Sequence, residues 1–298
     1  MAPRAATRAR RQAAAAAAAV LMLGTAPSWA GGADIAPLVV KPGMPIHFTG
    51  VGTETGENSC TMAFLFTATV QVRSGKRGRV RERTVDYAST AGHCVLVDPN
   101  ATEEVHGPGE GPVVHLTQRG ADGALVAGPR IGRVVYAGSV MPVLYPDDRL
   151  PELMDLALIE LDPGVVSDPA LCHFGGPVAL RETPMDGPED VHLYGNGNAT
   201  GLNRETGTTL LPARSGPAVP YQENAISMLT ASSGGDSGSP LIDADGQALA
   251  LLTGPYQPRI APMLPRAEEV LGIRLSLRTA PLVEDAPPFG ADPACAPL

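Results

Sequence analysis

A serine set among glycines is the first place in this 298-residue chain where side-chain type and spacing could do chemistry. The stretch Gly234-Gly235-Asp236-Ser237-Gly238-Ser239-Pro240 can form a tight turn, because glycine reaches positive φ without steric cost. Such a turn aims consecutive backbone N–H groups inward, and Gly235 and Gly238 leave space for another backbone beside Ser237. A serine hydroxyl keeps its proton at neutral pH and is a weak nucleophile. To attack a carbonyl it needs a neutral imidazole within hydrogen-bond reach and a carboxylate that holds the imidazole in the right tautomer. It also needs N–H donors where negative charge develops on the attacked oxygen. Thr90-Ala91-Gly92-His93-Cys94 offers an imidazole, and Asp155-Leu156-Ala157-Leu158-Ile159-Glu160-Leu161 offers a carboxylate. Taken singly, each motif has a plain structural reading: a loop, a packed histidine, the start of a strand. The other histidines, His47, His106, His115, His173 and His192, have no such context. Their spacings also lack the short-range pattern of metal ligands, so no metal and no other cofactor is expected.

The elements that must position these residues read as strands. With 34 Gly and 30 Pro, few segments can sustain a long helix, and the apolar runs are short and bounded by breakers. Met62 to Val72 alternates as a strand, Ser74-Gly75-Lys76-Arg77-Gly78 turns it back, and Arg79 to Val85 completes a hairpin. Further strands are expected at Val113–Leu116, Ile131–Tyr136, Leu156–Leu161, Val191–Tyr194, Ala225–Leu229 and Gln247–Leu252. Residues 97–112 and 196–220, rich in Gly, Pro and Asn, read as surface loops, and the chain from Pro281 as extended. One short helix is expected over Arg266 to Leu271, with Pro265 at its first turn and Gly272 ending it. Asp162-Pro163-Gly164 through Pro169 is a turn-rich connector. It divides the chain into 31–165 and 166–298, each a comfortable domain size.

Residues 1–30 stand apart. Arg4, Arg8, Arg10 and Arg11 precede an apolar run from Ala13 to Ala26, and Ser28-Trp29-Ala30 supplies small residues two positions apart. That order is a secretory signal, with cleavage expected after Ala30 and a secreted mature chain. The run falls short of the ~20 apolar residues of a bilayer span, so no membrane span is expected after cleavage. Its removal lowers Lys+Arg from 22 to 18 against 31 Asp+Glu, taking the net charge from −9 to −13. A chain so acidic is poorly suited to holding polyanions, which argues against nucleic acid as a partner. The basic residues from Arg73 to Arg83 around Lys76 read as a solvated hairpin tip. In an oxidising compartment the four cysteines imply two disulfides, with three connectivities open, and the absence of Cys-x-x-Cys argues against a zinc or redox site.

Together the three motifs resemble the chymotrypsin/trypsin-like serine proteases, and their order of His, Asp, then Ser is that of this family rather than of the subtilisins or α/β-hydrolases. The resemblance implies an all-β fold of two packed antiparallel six-stranded β-barrels with a short C-terminal helix and the active site between them. It implies a triad of His93, Asp155 and Ser237, with an oxyanion hole from the backbone of Gly235 and Ser237. It pairs Cys60 with Cys94, leaving Cys172 with Cys295. Ser239, where animal members have glycine, points to a bacterial-type member. No Ile-Val-Gly-Gly start lies between Gly31 and Cys60, so Asp236 needs an arginine or backbone partner in place of a new N-terminus. The resemblance puts Ala231 at the base of the substrate pocket and Thr253 and Gly254 in its wall, a neutral site for small or apolar side chains. The expectation is a monomeric secreted endopeptidase acting on peptides or proteins. A catalytically silent homologue that binds peptides and a serine esterase are the alternatives.

Overall fold

A computed structural model describes residues 37–51, 59–74, 79–98, 101–139, 155–203 and 208–298. The expected leader, residues 1–30, and the expected hairpin turn at residues 75–78 lie outside the described residues, as do residues 99–100 of the first expected loop.

The first half of the described chain forms β1 (Val39–Val40), β2 (Pro45–Thr49), β3 (Ser59–Thr61), β4 (Leu65–Ser74), β5 (Arg79–Thr90), β6 (Glu103–Val105), β7 (Val113–Arg119), β8 (Leu125–Gly138) and β9 (Leu156–Leu161). All pairings among β2 to β9 are antiparallel. The hairpin expected from Met62 onward is β4 against β5, in register from Leu65 opposite Ala88 to Ser74 opposite Arg79. It starts from a bent strand, because β3 and β4 are two halves of one run broken at Met62-Ala63-Phe64. The β3 half pairs with β2 and the β4 half with β5, which closes the sheet into a six-stranded ring: β2, β3–β4, β5, β9, β8, β7 and back to β2. Inside it Ile46, Phe48, Phe64, Phe66, Val114, Ile131, Val134 and Ile159 are fully buried, the apolar half of each strand's alternation.

The second half forms β10 (Val166–Ser167), β11 (Ala179–Leu180), β12 (Glu189–Tyr194), β13 (Leu202–Asn203), β14 (Thr208–Thr209), β15 (Ala213–Gln222), β16 (Ala225–Met228), β17 (Pro240–Asp243), β18 (Gln247–Leu251) and β19 (Gln257–Pro258). Here the order β18, β17, β12, β15, β16, β19 is closed by a bridge between Ala250 and Arg259, giving a second six-stranded ring. Its own core holds Val191, Leu193, Ile226, Leu241 and Leu249. The fold is therefore all-β with two antiparallel barrels, as the sequence implies.

Three expectations need correction, the first being the loop read at 97–112, which contains β6, held to β8 by cross-strand pairing that local composition does not reveal. The segment 196–220, read as a loop, contains most of β15, the longest strand of the second barrel, hydrogen-bonded to β12 on one side and β16 on the other. Gly216, Pro217 and Pro220 hid it. They are tolerated because a register irregularity occurs between Pro220 and Gln222, and because the Pro217 carbonyl still accepts from Leu229 N–H, at 2.9 Å. The helix α1 spans Ile260–Leu271, starting six residues before the expected position, so Pro265 lies inside it. That proline removes one intrahelical donor. The burial of Ile260, Met263, Leu264 and Ala267 offsets the loss. Gly272 ends the helix at φ 65, as expected.

Beyond α1 the chain recrosses the molecule. β20 (Ser276–Leu277) pairs with β4 of the first barrel, and β21 (Phe289–Gly290) pairs with β15 of the second. The final residue returns to the first barrel: Leu298 N–H donates to Thr117 O at 3.1 Å, and Arg119 N–H to Leu298 O at 2.8 Å. Along the way Cys295 is bonded to Cys172, 123 residues earlier. The tail is thus a strap tied to both barrels. Replacing both Cys172 and Cys295 by Ala should lower unfolding free energy in urea by about 2–5 kcal/mol, as expected for releasing a long closed loop. An unchanged urea midpoint and slope would show that the strap is held without the bridge.

Candidate active site

Three side chains from distant parts of the sequence meet between the barrels. β5 ends at Thr90, and a single 3-10 turn, Gly92–Cys94, carries His93. Asp155 immediately precedes β9, which pairs with β5 through Thr90 and Ala157, so strand pairing brings the acid beside the imidazole. Asp155 adopts φ 62, a left-handed conformation that Asp tolerates better than most residues. Its carboxylate grips His93 twice, accepting from the backbone N–H at 2.7 Å through Oδ1 and facing ring Nδ1 at 2.6 Å through Oδ2. With Nδ1–H donating to the acid, Nε2 is left as an acceptor, and it lies 3.0 Å from Ser237 Oγ. Asp155 is almost fully buried, while the His93 side chain is 30% exposed. Burial pushes the His93 pKa down, but the charge and hydrogen bond of Asp155 outweigh it, and the net shift is upward. Cys94 is bonded to Cys60 of β3, so the turn carrying His93 is fastened covalently to its own barrel.

The turn before β17 fixes every peptide plane around Ser237. Gly235 and Gly238 take φ 95 and 85, positions where a side chain would be strained. The C=O and N–H of a trans peptide point in opposite directions, so anchoring one aims the other. Gly234 C=O accepts from Asn198 N–H at 2.9 Å, which directs the Gly235 N–H the other way. Asp236 C=O accepts from Ser239 N–H at 2.8 Å and Ser239 Oγ at 2.6 Å, which does the same for the Ser237 N–H. Neither the Gly235 nor the Ser237 N–H has an acceptor among the described residues. Two oriented, unused donors thus sit beside the hydroxyl.

Below the turn lies a buried ion pair. Arg214 of β15 meets Asp236 in a fork, Nη2 to Oδ1 at 2.7 Å and Nη1 to Oδ2 at 3.1 Å, with side chains only 4% and 0% exposed. The carboxylate also accepts from Gly197 N–H, Ser233 N–H and Thr200 Oγ1. A buried charge is tolerated only when paired and hydrogen-bonded, and both conditions hold here. The sequence left the partner of Asp236 open between arginine and backbone; the structure supplies both.

The remaining expected site residues fall around this centre. Ala231 is exposed, and its carbonyl accepts from Arg214 Nη1 at 2.9 Å. Thr253 and Gly254 are half-buried and follow β18. Thr253 Oγ1 donates to Tyr256 O, and Gly254 O accepts from Gln257 Nε2. The adjoining Leu252 is hydrogen-bonded to Gly238 and Ser239, which sets this segment beside the serine turn. Among the described residues, two clusters have ligand atoms close enough for a metal, Cys60 with His93 and Cys94, and Cys172 with Asp292 and Cys295. In each, both sulfurs are committed to a disulfide. A trough of about 1700 Å³ lies between α1 and the outer side of β4 and β5; its lining includes Tyr87, Val135 and Glu268 but none of the site residues. Sequence reading missed Thr61, Asn198, Thr200 and Arg214. The alternation Gly195-Asn196-Gly197-Asn198 was the available signal, a run able to approach a buried carboxylate closely.

Two antiparallel barrels with a Ser–His–Asp hydrogen-bond chain at their junction define a class of two-barrel hydrolases. The family model described as a trypsin-like peptidase domain matches residues 70–251, and the chain belongs to that family. Among solved structures it is similar to Thermobifida fusca protease A, at 17% identity over 80% of this chain and 100% of that one, with a TM-score of 0.41. No curated protein matches it.

The ion pair yields a prediction. Arg214→Met keeps the length of the side chain but leaves Asp236 buried without a counter-charge. It should destabilise the fold by about 3–5 kcal/mol and depress peptide hydrolysis even in the folded fraction. Wild-type stability and activity in this variant would contradict the role given to the pair.

Proposed function

We propose that this chain is an exported serine endopeptidase in which Ser237 is the nucleophile, His93 the general base and then acid, and Asp155 the group that orients the imidazole. The observation that carries the reading is the continuous chain Asp155 Oδ2, His93 Nδ1, His93 Nε2, Ser237 Oγ at 2.6 and 3.0 Å, beside two unused N–H donors. In this reading Nε2 takes the Oγ proton as Oγ bonds to the substrate carbonyl carbon. Charge gathers on the carbonyl oxygen, where the N–H groups of Gly235 and Ser237 stabilise it. The imidazolium is stabilised by Asp155 and then protonates the departing amine, leaving an acyl group on Ser237. A water molecule, deprotonated by His93, releases the acid product and restores the serine.

The finer expectations join this proposal. The leader 1–30 is removed on export, consistent with two disulfides and with the lack of any described helix long and apolar enough to cross a membrane. The barrels are assigned to 31–165 and 166–298. Arg214 gives Asp236 the counter-charge that a new N-terminus supplies in activated animal members of the family, which supports a chain that needs no activating cleavage. None of Ala231, Thr253 and Gly254 carries a charged side chain, which favours small or apolar side chains at the cleavage site.

Ser237→Ala should lower kcat/KM on peptide substrates by about 10⁴-fold or more while leaving the unfolding midpoint in place. Retention of more than a tenth of the activity would refute the assignment. The base works only when unprotonated, so activity should fall as pH drops through the His93 pKa. Because Asp155 raises that pKa, the midpoint of kcat/KM should lie above the ordinary imidazole value of about 6.5. A profile flat down to pH 4 would remove His93 from the role of base.

A further inference from the structure

The donors of the Ser237 turn belong to the second barrel, yet two of the bonds that fix the turn come from the first. Thr61, the last residue of β3, is fully buried and contacts both ends of the segment Gly235-Asp236-Ser237. Its backbone N–H donates to Ser237 O at 2.8 Å, and its hydroxyl donates to Gly235 O at 2.9 Å. The hydroxyl is itself held in place, since Thr61 Oγ1 accepts from Asn196 N–H at 3.2 Å. The Thr61 carbonyl in turn accepts from Thr90 Oγ1 at 2.8 Å, in the strand that leads to His93.

Gly235 sits between two peptide planes, and glycine imposes little resistance to rotation of either. The plane before it is held through Gly234 C=O by Asn198. In the plane after it, Asp236 N–H donates to Ser233 O, and the Gly235 carbonyl accepts from the Thr61 hydroxyl. Without that hydroxyl the carbonyl is left unsatisfied in a buried position, a cost that rotation of the Gly235–Asp236 plane would relieve. Such rotation changes ψ of Gly235 and φ of Asp236, the dihedrals that set the angle between the plane of the Gly235 N–H and that of the Ser237 N–H, and so loosens their convergence on a common target.

We propose that the Thr61 hydroxyl is a positioning residue: it reaches across the barrel junction to hold the Gly235–Asp236 peptide plane, and so keeps the Gly235 and Ser237 donors converged on the oxygen of the transition state. The proposal rests on the serine-peptidase reading given above. It concerns the side chain alone, because the backbone bond from Thr61 to Ser237 survives substitution.

The experiment compares wild type, Thr61→Val, Thr61→Ser and Ser237→Ala in steady-state peptide hydrolysis and in binding of a peptide aldehyde, whose tetrahedral adduct presents an oxyanion. Deleting an oxyanion donor outright costs about 10²–10³ in kcat, so loosening two of them in Thr61→Val should lower kcat by about tenfold or more. KM should stay within about twofold of wild type, because the ground-state carbonyl depends little on these donors. Aldehyde affinity should fall in parallel with kcat, and Thr61→Ser, which keeps the hydroxyl, should restore both. Should Thr61→Val not fold, Thr61→Ala removes the same hydroxyl with less steric demand and carries the same expectations. Wild-type kcat and aldehyde affinity in the hydroxyl-free variant would overturn the proposal, as would a loss that Thr61→Ser does not restore, or one confined to KM. A wild type no more active than Ser237→Ala would instead overturn the serine-peptidase reading itself, and the proposal with it.

Discussion

His93 must hydrogen-bond in two directions at once, to an acid on its own barrel and to a hydroxyl on the other. Distances of 2.6 and 3.0 Å leave little room for the barrels to slide. Hydrogen bonds weaken steeply outside a narrow range of length and angle, so the rest of the fold can be understood as the means of keeping that junction fixed. The barrels are fastened at several places. Close to the site, Thr61 bonds the serine turn, and the Asn196 side chain from the second barrel donates to Gly43 O. At the periphery the C-terminal strap pairs with β4, then β15, and returns to Thr117 and Arg119. β3 has a double part, because Cys60 secures the His93 turn and the next residue secures the Ser237 turn.

The second barrel solves a different problem. A turn that points several N–H groups outward needs its own carbonyls and its one acidic side chain satisfied from below. The fork of Arg214 on Asp236, with the N–H groups of Gly197 and Ser233, does this by spending a desolvated charge pair. An apolar pair of the same volume could be equally stable. It could not dictate the orientation of the Asp236 backbone, to which the Ser237 N–H belongs. Stability and geometry are therefore coupled at this position.

Much of this was legible in the sequence. The three motifs located His93, Asp155 and Ser237 because nucleophile chemistry restricts residue type, and glycine spacing restricts the turn. The strand at 156–161 was read to the residue, since Leu156 to Leu161 is a largely apolar run ahead of a turn-rich connector. What escaped was long-range. Arg214 stands in a Gly- and Pro-rich stretch that local rules assign to a loop, yet cross-strand bonds to Glu189–Tyr194 make it a strand. Thr61 carries no local signal, for a threonine at a strand end is ordinary, and its importance comes from a partner 174 residues away. The helix start was misplaced because Pro265 is locally a first-turn residue, whereas tertiary burial of Ile260 and Met263 extends the helix past it.

If the geometry at the barrel junction makes Ser237 a nucleophile, as proposed, the other serines remain inert. The most direct test is to treat the native protein with a phosphonylating reagent at neutral pH and map the adduct by mass spectrometry. One adduct is expected, on Ser237, forming quickly in the native state and absent when the protein is denatured before treatment or when His93 is replaced by Ala. Failure to label Ser237, or equal labelling of Ser237 and Ser239, would contradict it.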